Sequence, residues 1–490
     1  MHLKTPSLRI INRKSTAAML AACALASCSV TDKNNELPNI VFILADDLGY
    51  GDLSCYGQQK FQTPNIDRLA QDGMLFRHHY AGCTVSAPSR SSLMTGQHTG
   101  HTPVRGNKEW HPEGQWPLPA KSLTIAEMLK SKNYSTGAFG KWGLGFIGTE
   151  GDPNAQGFDE FFGFNCQRLA HNYYPYYLWH NKEKILLEEN SGTAKGTYSP
   201  DVIHEAALRF IEDNSNKPFF LFYPSIIPHA ELFAKEEYIK AFRGKFNPER
   251  SYEGTDDGPG YKQGAYGSQP ESHAAFAAMV TQLDDYVGEI ISRLKELGLE
   301  KNTIVIFSSD NGPHLEGGAD PDYFNSNGGL RGYKRDLYEG GIRAPFIVKW
   351  PGKIKTGSST DHISAFWDIM PTLAEITGTE IPCETDGISF LSTLTGNSAE
   401  QEQHDYLYWE FHEQGGKAAV LKGDWKAIKT GINSTGEKNI ELYNLRNDPG
   451  EDNNLADSWP EIITNMETIM EEAHISSDVF PFVSESEEKK

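Results

Sequence analysis

Cysteine is scarce in this chain, with six among 490 residues. The four beyond Cys28, namely Cys55, Cys83, Cys166 and Cys383, stand far apart, without the Cys-x-x-Cys spacing of a zinc site or redox motif. A disulfide framework is not indicated, although an oxidising compartment would allow one or two bridges that spacing cannot assign. Basic residues are outnumbered, 45 against 66 acidic ones, for a formal net charge of -21. That balance argues against sequence-independent binding to nucleic acid. It does not exclude an anionic substrate in a local cationic pocket, because exposed charges more than roughly 8 Å away are largely screened at physiological salt. No internal repeat is visible. The apolar run at residues 17–26 is too short to span a bilayer.

That run follows Lys4, Arg9, Arg13 and Lys14, so it reads as an export signal. Leu25-Ala26-Ser27-Cys28 resembles a bacterial lipobox, in which Cys28 is lipidated and becomes the mature N-terminus. The alternative is an ordinary signal peptide cut after a small residue. Residues 29–36 are polar and read as a tether.

The length suits one large domain with a smaller one, or two of similar size. Asn39-Ile40-Val41-Phe42-Ile43-Leu44-Ala45 is a continuous apolar run ending at Asp46-Asp47, and residues 303–309 repeat the pattern before Asp310-Asn311. Such runs are strands buried on both faces, with polar residues at their C-terminal edge. Residues 219–223 and 344–348 look like further buried strands, and 122–132 and 274–297 carry helical spacing. Strands alternating with helices predict an α/β sheet covered on both faces, with ligands gathering beyond the carboxyl ends of its strands. After about residue 395 the texture changes to short strand-like runs at 406–409, 418–421 and 425–428, then a helix near 461–472. This predicts a smaller C-terminal subdomain of antiparallel sheet plus helix. The expected division is signal 1–28, tether 29–36, catalytic domain 37–395, C-terminal subdomain 396–490 and a charged tail. Residues 248–271 read as a long loop.

Asp46-Asp47 and Asp310-Asn311 offer hard oxygen ligands of the kind that Ca²⁺ or Mg²⁺ requires. Either pair alone reads better as a loop start or helix cap, and the metal reading overtakes it only for the two pairs together with the segment that follows. The segment Ser86-Ala87-Pro88-Ser89-Arg90 is likewise weak alone, since Ser and Pro also start helices. It resembles the signature of the type I sulfatases, whose alkaline-phosphatase-like fold has a large mixed sheet between helices. The resemblance continues through Gly140-Lys141-Trp142, Gly157-Phe158-Asp159, Pro228-His229, Asp310-Asn311-Gly312, Lys334 with Glu339-Gly340-Gly341-Ile342-Arg343-Ala344-Pro345, and Glu441-Leu442-Tyr443-Asn444-Leu445.

The resemblance implies that Ser86 is oxidised to formylglycine and hydrated to a geminal diol, the nucleophile on sulfur. It places Ca²⁺, ahead of Mg²⁺, on Asp46, Asp47, Asp310, Asn311 and the modified Ser86. Arg90 would hold the diol, Lys141 and Lys334 the sulfate oxygens, and His229 would protonate the leaving oxygen. These roles meet what the chemistry demands: charge neutralisation, a strong nucleophile and a proton donor. A Ser precursor implies a radical, oxygen-independent maturase as partner, hence an anaerobic bacterium, with the enzyme periplasmic or on the surface of a Gram-negative cell.

One departure stands out. The family commonly has Lys-Trp-His where this chain has Lys141-Trp142-Gly143. His171, in Arg168-Leu169-Ala170-His171-Asn172-Tyr173, is the candidate replacement or a substrate contact, an ordinary loop histidine being the competing reading. Arg168, Tyr173, Trp409, Glu410 and His412 are candidates for the sugar site, with core or subdomain interface as the alternative for the aromatics. The resemblance to bacterial carbohydrate sulfatases related to N-acetylgalactosamine-6-sulfatases implies exo-desulfation of galactose or N-acetylgalactosamine in host or algal glycans, position 6 ahead of 4. Two rivals stay open: a phosphatase or phosphodiesterase using unmodified Ser86, and a lipoprotein that binds sulfated glycans without turnover.

Overall fold

The strand Asn39–Ala45 is buried along its whole length because both of its faces are covered, and its alternate side chains enter different cores. Val41 and Ile43 pack with the helices Ser199–Asp213 and Ser272–Glu296 on one face. Ile40, Phe42 and Leu44 pack with Ser86–Thr95, Ile125–Lys130 and Ile369–Thr377 on the other. That alternation is the two-residue period of a strand expressed in a three-layer fold. The computed structural model describes residues 37–111, 113–434 and 439–482. The export signal, Cys28, the tether and the charged tail lie outside the described residues.

Ten strands form the main sheet, in the order Ser358–Thr360, Met74–Phe76, Phe346–Lys349, Thr303–Ser309, Asn39–Ala45, Phe219–Pro224, Ser135–Lys141, Glu160–Phe164, Tyr177–His180, Glu183–Leu186. Its middle is parallel: Asn39–Ala45 pairs with Thr303–Ser309 on one side and Phe219–Pro224 on the other, and Ser135–Lys141 continues the run. The register sets Leu44 opposite Ser308 and Ala45 opposite Ser309. Asp46, Asp310, Lys141 and the turn after Pro224 therefore leave the sheet at one edge. The expected mixed α/β architecture is observed, with a separate four-stranded antiparallel sheet in the order Leu407–Phe411, Lys417–Lys422, Trp425–Thr430, Asn439–Asn444 and the closing helix Pro460–Glu472. All four cysteines among the described residues are free. No helix of the described residues is long and apolar enough to cross a membrane.

A buried ionic cluster ties the small sheet to the loop that carries Lys334. Lys426, fully buried on Trp425–Thr430, reaches Glu339 Oε1 at 2.9 Å and Glu451 Oε1 at 3.0 Å. Glu339 also pairs with Arg343 and accepts from the Tyr80 hydroxyl at 3.0 Å. Lys426→Met should cost about 3–5 kcal/mol, because it removes one partner and leaves two carboxylates in a dry site. Urea unfolding would read this as a lower midpoint.

Candidate active site

Every residue of the helix Ser86–Thr95 is buried, and its first turn meets the edge of the sheet. Ser86 and Arg90 are four residues apart and so share a face. Pro88 is tolerated between them because the N–H groups of the first turn have no partner within the helix. Ser86 Oγ lies 3.2 Å from Asp46 Oδ1 and 3.2 Å from Lys141 Nζ. Lys141, the last residue of its strand, also pairs with Asp46. Arg90 donates twice to Asp310 Oδ2, from Nη2 at 2.9 Å and Nε at 3.1 Å, and its Nη1 donates to the Lys141 carbonyl. One guanidinium thus joins the helix to two strand ends.

Asp47 sits in the left-handed backbone region, at φ 63°. Aspartate tolerates this conformation better than most residues. Its N–H bonds Asp310 Oδ1 at 3.1 Å, and its side chain receives Lys334 Nζ at 2.7 Å and Asn311 Nδ2 at 2.7 Å. Lys334 is held by its N–H on the Pro313 carbonyl, while the next residue, Arg335, bonds both the carbonyl and the hydroxyl of Thr84. That contact brings the Lys334 loop onto the segment leading into Ser86. Burial alone would lower Lys334, but Asp47 and Glu316 outweigh it and hold the ammonium above its ordinary value. For Lys141 burial wins, with Arg90 adding to it, and the ammonium lies below its ordinary value despite Asp46.

His229 completes the cluster. Its Nδ1 donates to the Ala230 carbonyl, so Nε2 carries the lone pair and accepts from Lys334 Nζ at 3.1 Å, with Asp47 Oδ2 at 3.3 Å. Burial, then Lys334, His171 and Lys141, hold it well below the ordinary histidine range. His171 stacks on it at 4.9 Å and 12°, bonding the Gly264 carbonyl through Nδ1. His314 also stacks on it, at 5.5 Å and 20°. His314 and Tyr266, whose ring lies 4.9 Å from His171, were not anticipated from sequence. The continuation Asp310-Asn311-Gly312-Pro313-His314 was the only signal for the first, and Tyr266 lies in residues 248–271, read as a long loop.

Formally, three carboxylates (Asp46, Asp47, Asp310) face three cations (Arg90, Lys141, Lys334), with every side chain at most 5 % exposed. The donor set suits a hard divalent cation. Asn311 supports the fit: its Nδ2 is bonded, whereas its Oδ1 is buried with no hydrogen-bond partner among the described residues. A carboxylate oxygen each from Asp46 and Asp47 lies within 4.8 Å of the other and of a His229 ring nitrogen.

Four expected sugar contacts do not reach this cleft. Tyr173 is wholly buried and its hydroxyl donates to the carbonyls of Ile226 and His229, so it shapes the His229 turn from behind. Trp409 is also wholly buried, its indole N–H on the Ala81 carbonyl. Glu410 is enclosed by Arg105, Tyr408, His412 and His474, and His412 spends Nε2 on it at 2.8 Å. These three belong to the packing of the small sheet against the segments that carry Ala81, Arg105 and His474, the commoner fate of such residues. Arg168 is partly exposed, reaching the Gln263 carbonyl at 2.6 Å and Glu109 at 3.6 Å. Gly143, where a histidine was expected, has φ 78°, and a Cβ there would fall 2.2 Å from Gln167 Nε2.

Comparison with known proteins gives a consistent result. The family described as Sulfatase matches residues 38–379, and that described as N-sulphoglucosamine sulphohydrolase, C-terminal, matches 331–475. The N-acetylgalactosamine-6-O-sulfatase of Bacteroides thetaiotaomicron is 30 % identical, over 93 % of this chain and 96 % of its own length. Human arylsulfatase A is 31 % identical, over 87 % and 85 %. The solved structure of Ps i-CgsB in complex with k-i-k-neocarrahexaose superposes with a TM-score of 0.73 at 29 % identity, covering 89 % of this chain and 92 % of that one.

Proposed function

This chain belongs to the sulfatase family and is a sulfuric ester hydrolase, and from that premise we propose that it removes sulfate from the exo end of glycans. The preferred site is position 6, ahead of position 4, of galactose or N-acetylgalactosamine in host or algal polymers. The observation that carries this reading is the placement of Ser86 Oγ between Asp46 and Lys141, at the head of a helix clamped by Arg90 to Asp310. The N-acetylgalactosamine-6-O-sulfatase relative supports the sugar and the position. Catalytic work is assigned to residues 37–395, with 396–490 as a supporting subdomain. Export and anchoring through Cys28 would set the enzyme in the periplasm or on the cell surface.

Ser86, oxidised to formylglycine by a radical maturase, would supply the hydrated aldehyde whose hydroxyl attacks sulfur. Asp46, Asp47, Asp310, Asn311 and residue 86 would hold Ca²⁺, ahead of Mg²⁺, which when bound withdraws charge from the sulfate oxygens. Lys141 and Lys334 act as point charges on those oxygens. Their positive charge is part of what depresses His229. An anionic sulfate between them offsets that charge and lifts the imidazole toward the range in which it can hold a proton and deliver it to the leaving oxygen. Arg90 keeps the helix head in register with Asp310, and His171 braces the face of His229.

A panel of defined sulfated and phosphorylated monosaccharides tests the substrate. Turnover of 6-sulfated galactose or N-acetylgalactosamine is expected, and activity confined to glucosamine sulfates would sink the assignment. The tryptic peptide containing Ser86 should be lighter by two hydrogens. Unmodified serine from a host with the maturase would favour a phosphatase or a non-catalytic glycan-binding protein. Chelation should abolish turnover and lower the thermal midpoint, and Ca²⁺ at a hundredfold its Kd should return about 2.7 kcal/mol of stability. Identical melting curves with chelator and with Ca²⁺ would count against the cation site.

A further inference from the structure

Gly143 and Gln167 occupy one space between them. With a Cβ contact of 2.2 Å in prospect, no side chain fits at 143 while Gln167 keeps its place. Gln167 is only 8 % exposed, and its Nε2 has no hydrogen-bond partner among the described residues. An unpaired buried donor is costly, because it gives up its bonds to water and gains none. Holding it there points to an acceptor that arrives from outside the protein.

Both ends of the segment around Gln167 are tied to the site. Gly143 follows Lys141 by two residues, and its N–H donates to the Asn165 carbonyl at 3.1 Å. The Gln167 N–H donates to Gln115 Oε1 at 3.1 Å, and Gln115 Nε2 reaches the Lys108 carbonyl at 3.2 Å. Next to Lys108, Asn107 Oδ1 receives the N–H of Ala87, the neighbour of Ser86, at 2.9 Å. Four residues beyond Gln167, His171 lies on His229.

We propose that Gln167 Nε2 donates a hydrogen bond to an oxygen of the substrate's sulfate group, and that Gly143 is required to leave it room. The inference rests on the sulfatase reading and deepens it. Gln167 fills the space that Lys-Trp-His would give to an imidazole, but with different chemistry. A primary amide donates hydrogen bonds without taking up or releasing a proton, so residue 167 binds and orients, and any proton removed on this side of the site goes to another group.

The test uses the full chain with oxidation of residue 86 checked by peptide mass. Gln167→Ala should lower kcat/KM on the sulfated sugar roughly 10- to 100-fold and weaken inhibition by inorganic sulfate to a similar degree. Gly143→Ala, whose Cβ evicts the amide, should show a comparable loss. The double variant should be no worse than the worse single one, since neighbours sharing one interaction are not additive. Thermal melts of all three separate this effect from misfolding. Calorimetric titration of inorganic sulfate into the unmodified Ser86 chain gives a readout that needs no turnover, and Gln167→Ala should weaken it about tenfold or more. Unchanged sulfate affinity and kcat/KM in Gln167→Ala, or fully additive losses, would overturn the proposal. Loss of sulfate affinity in a chain that hydrolyses no sulfate ester would refute the activity and keep the pair.

Discussion

Ser86→Ala is expected to lower kcat on any sulfate ester by at least about 10⁴-fold, the scale seen when a nucleophile is deleted, while leaving the thermal midpoint within a few degrees. The fold barely depends on this hydroxyl. Its contacts are single ones to Asp46 Oδ1 and Lys141 Nζ, and Lys141 keeps its own pair with Asp46 when the hydroxyl is gone. Alanine is also a better helix former than serine. A melting curve beside a turnover assay therefore separates chemistry from folding, and residual activity above a few per cent would remove Ser86 from the nucleophile's role.

His229→Ala is the second large effect, and its size should depend on the leaving group. Positioned proton transfer contributes about 10²–10⁴-fold. A sugar alkoxide is a poor leaving group and needs that proton, whereas a nitrophenolate leaves almost unaided. The variant should lose the full factor on a sugar sulfate and much less on 4-nitrophenyl sulfate. Equal losses on both would assign His229 to holding Lys334 and Asp47 in place, which its 3.1 and 3.3 Å contacts would also explain. Tyr173→Phe offers a control, because it removes the hydroxyl that fixes the Ile226 and His229 carbonyls without touching the imidazole.

The sheet and the cluster were legible where sequence and burial speak together. Asn39–Ala45 and Thr303–Ser309 announce themselves as unbroken apolar runs ended by paired polar residues, and the observed strands coincide with them. Ser135–Lys141 did not, because Ser-Thr-Gly-Ala-Phe-Gly-Lys is short of apolar bulk. Its place is fixed by neighbours: a Cβ at Gly140 would fall 1.9 Å from the Pro224 carbonyl, so only glycine lets the two backbones approach. Asn439–Asn444 was seen as a motif and not as a strand, since its pairing partner Trp425–Thr430 supplies the register. The aromatics misled for a different reason. Tyr173 and Trp409 combine an apolar body with one polar atom, equally suited to a sugar face and to a core with one spare carbonyl. Only the fold distinguishes the two.

The proposed oxidation of Ser86 would have to meet a deadline set by its burial. Side chains from residues 46 and 141 close around it, while the backbone of 335 fastens over Thr84, so that only 2 % of Ser86 meets solvent once these distant stretches have assembled. The proposed oxidising enzyme would have to seize an open strand of chain before that happens. On that reading, molecules that fold first would be sealed in the inactive form, and the ratio of maturation rate to folding rate would set how much working enzyme a cell obtains.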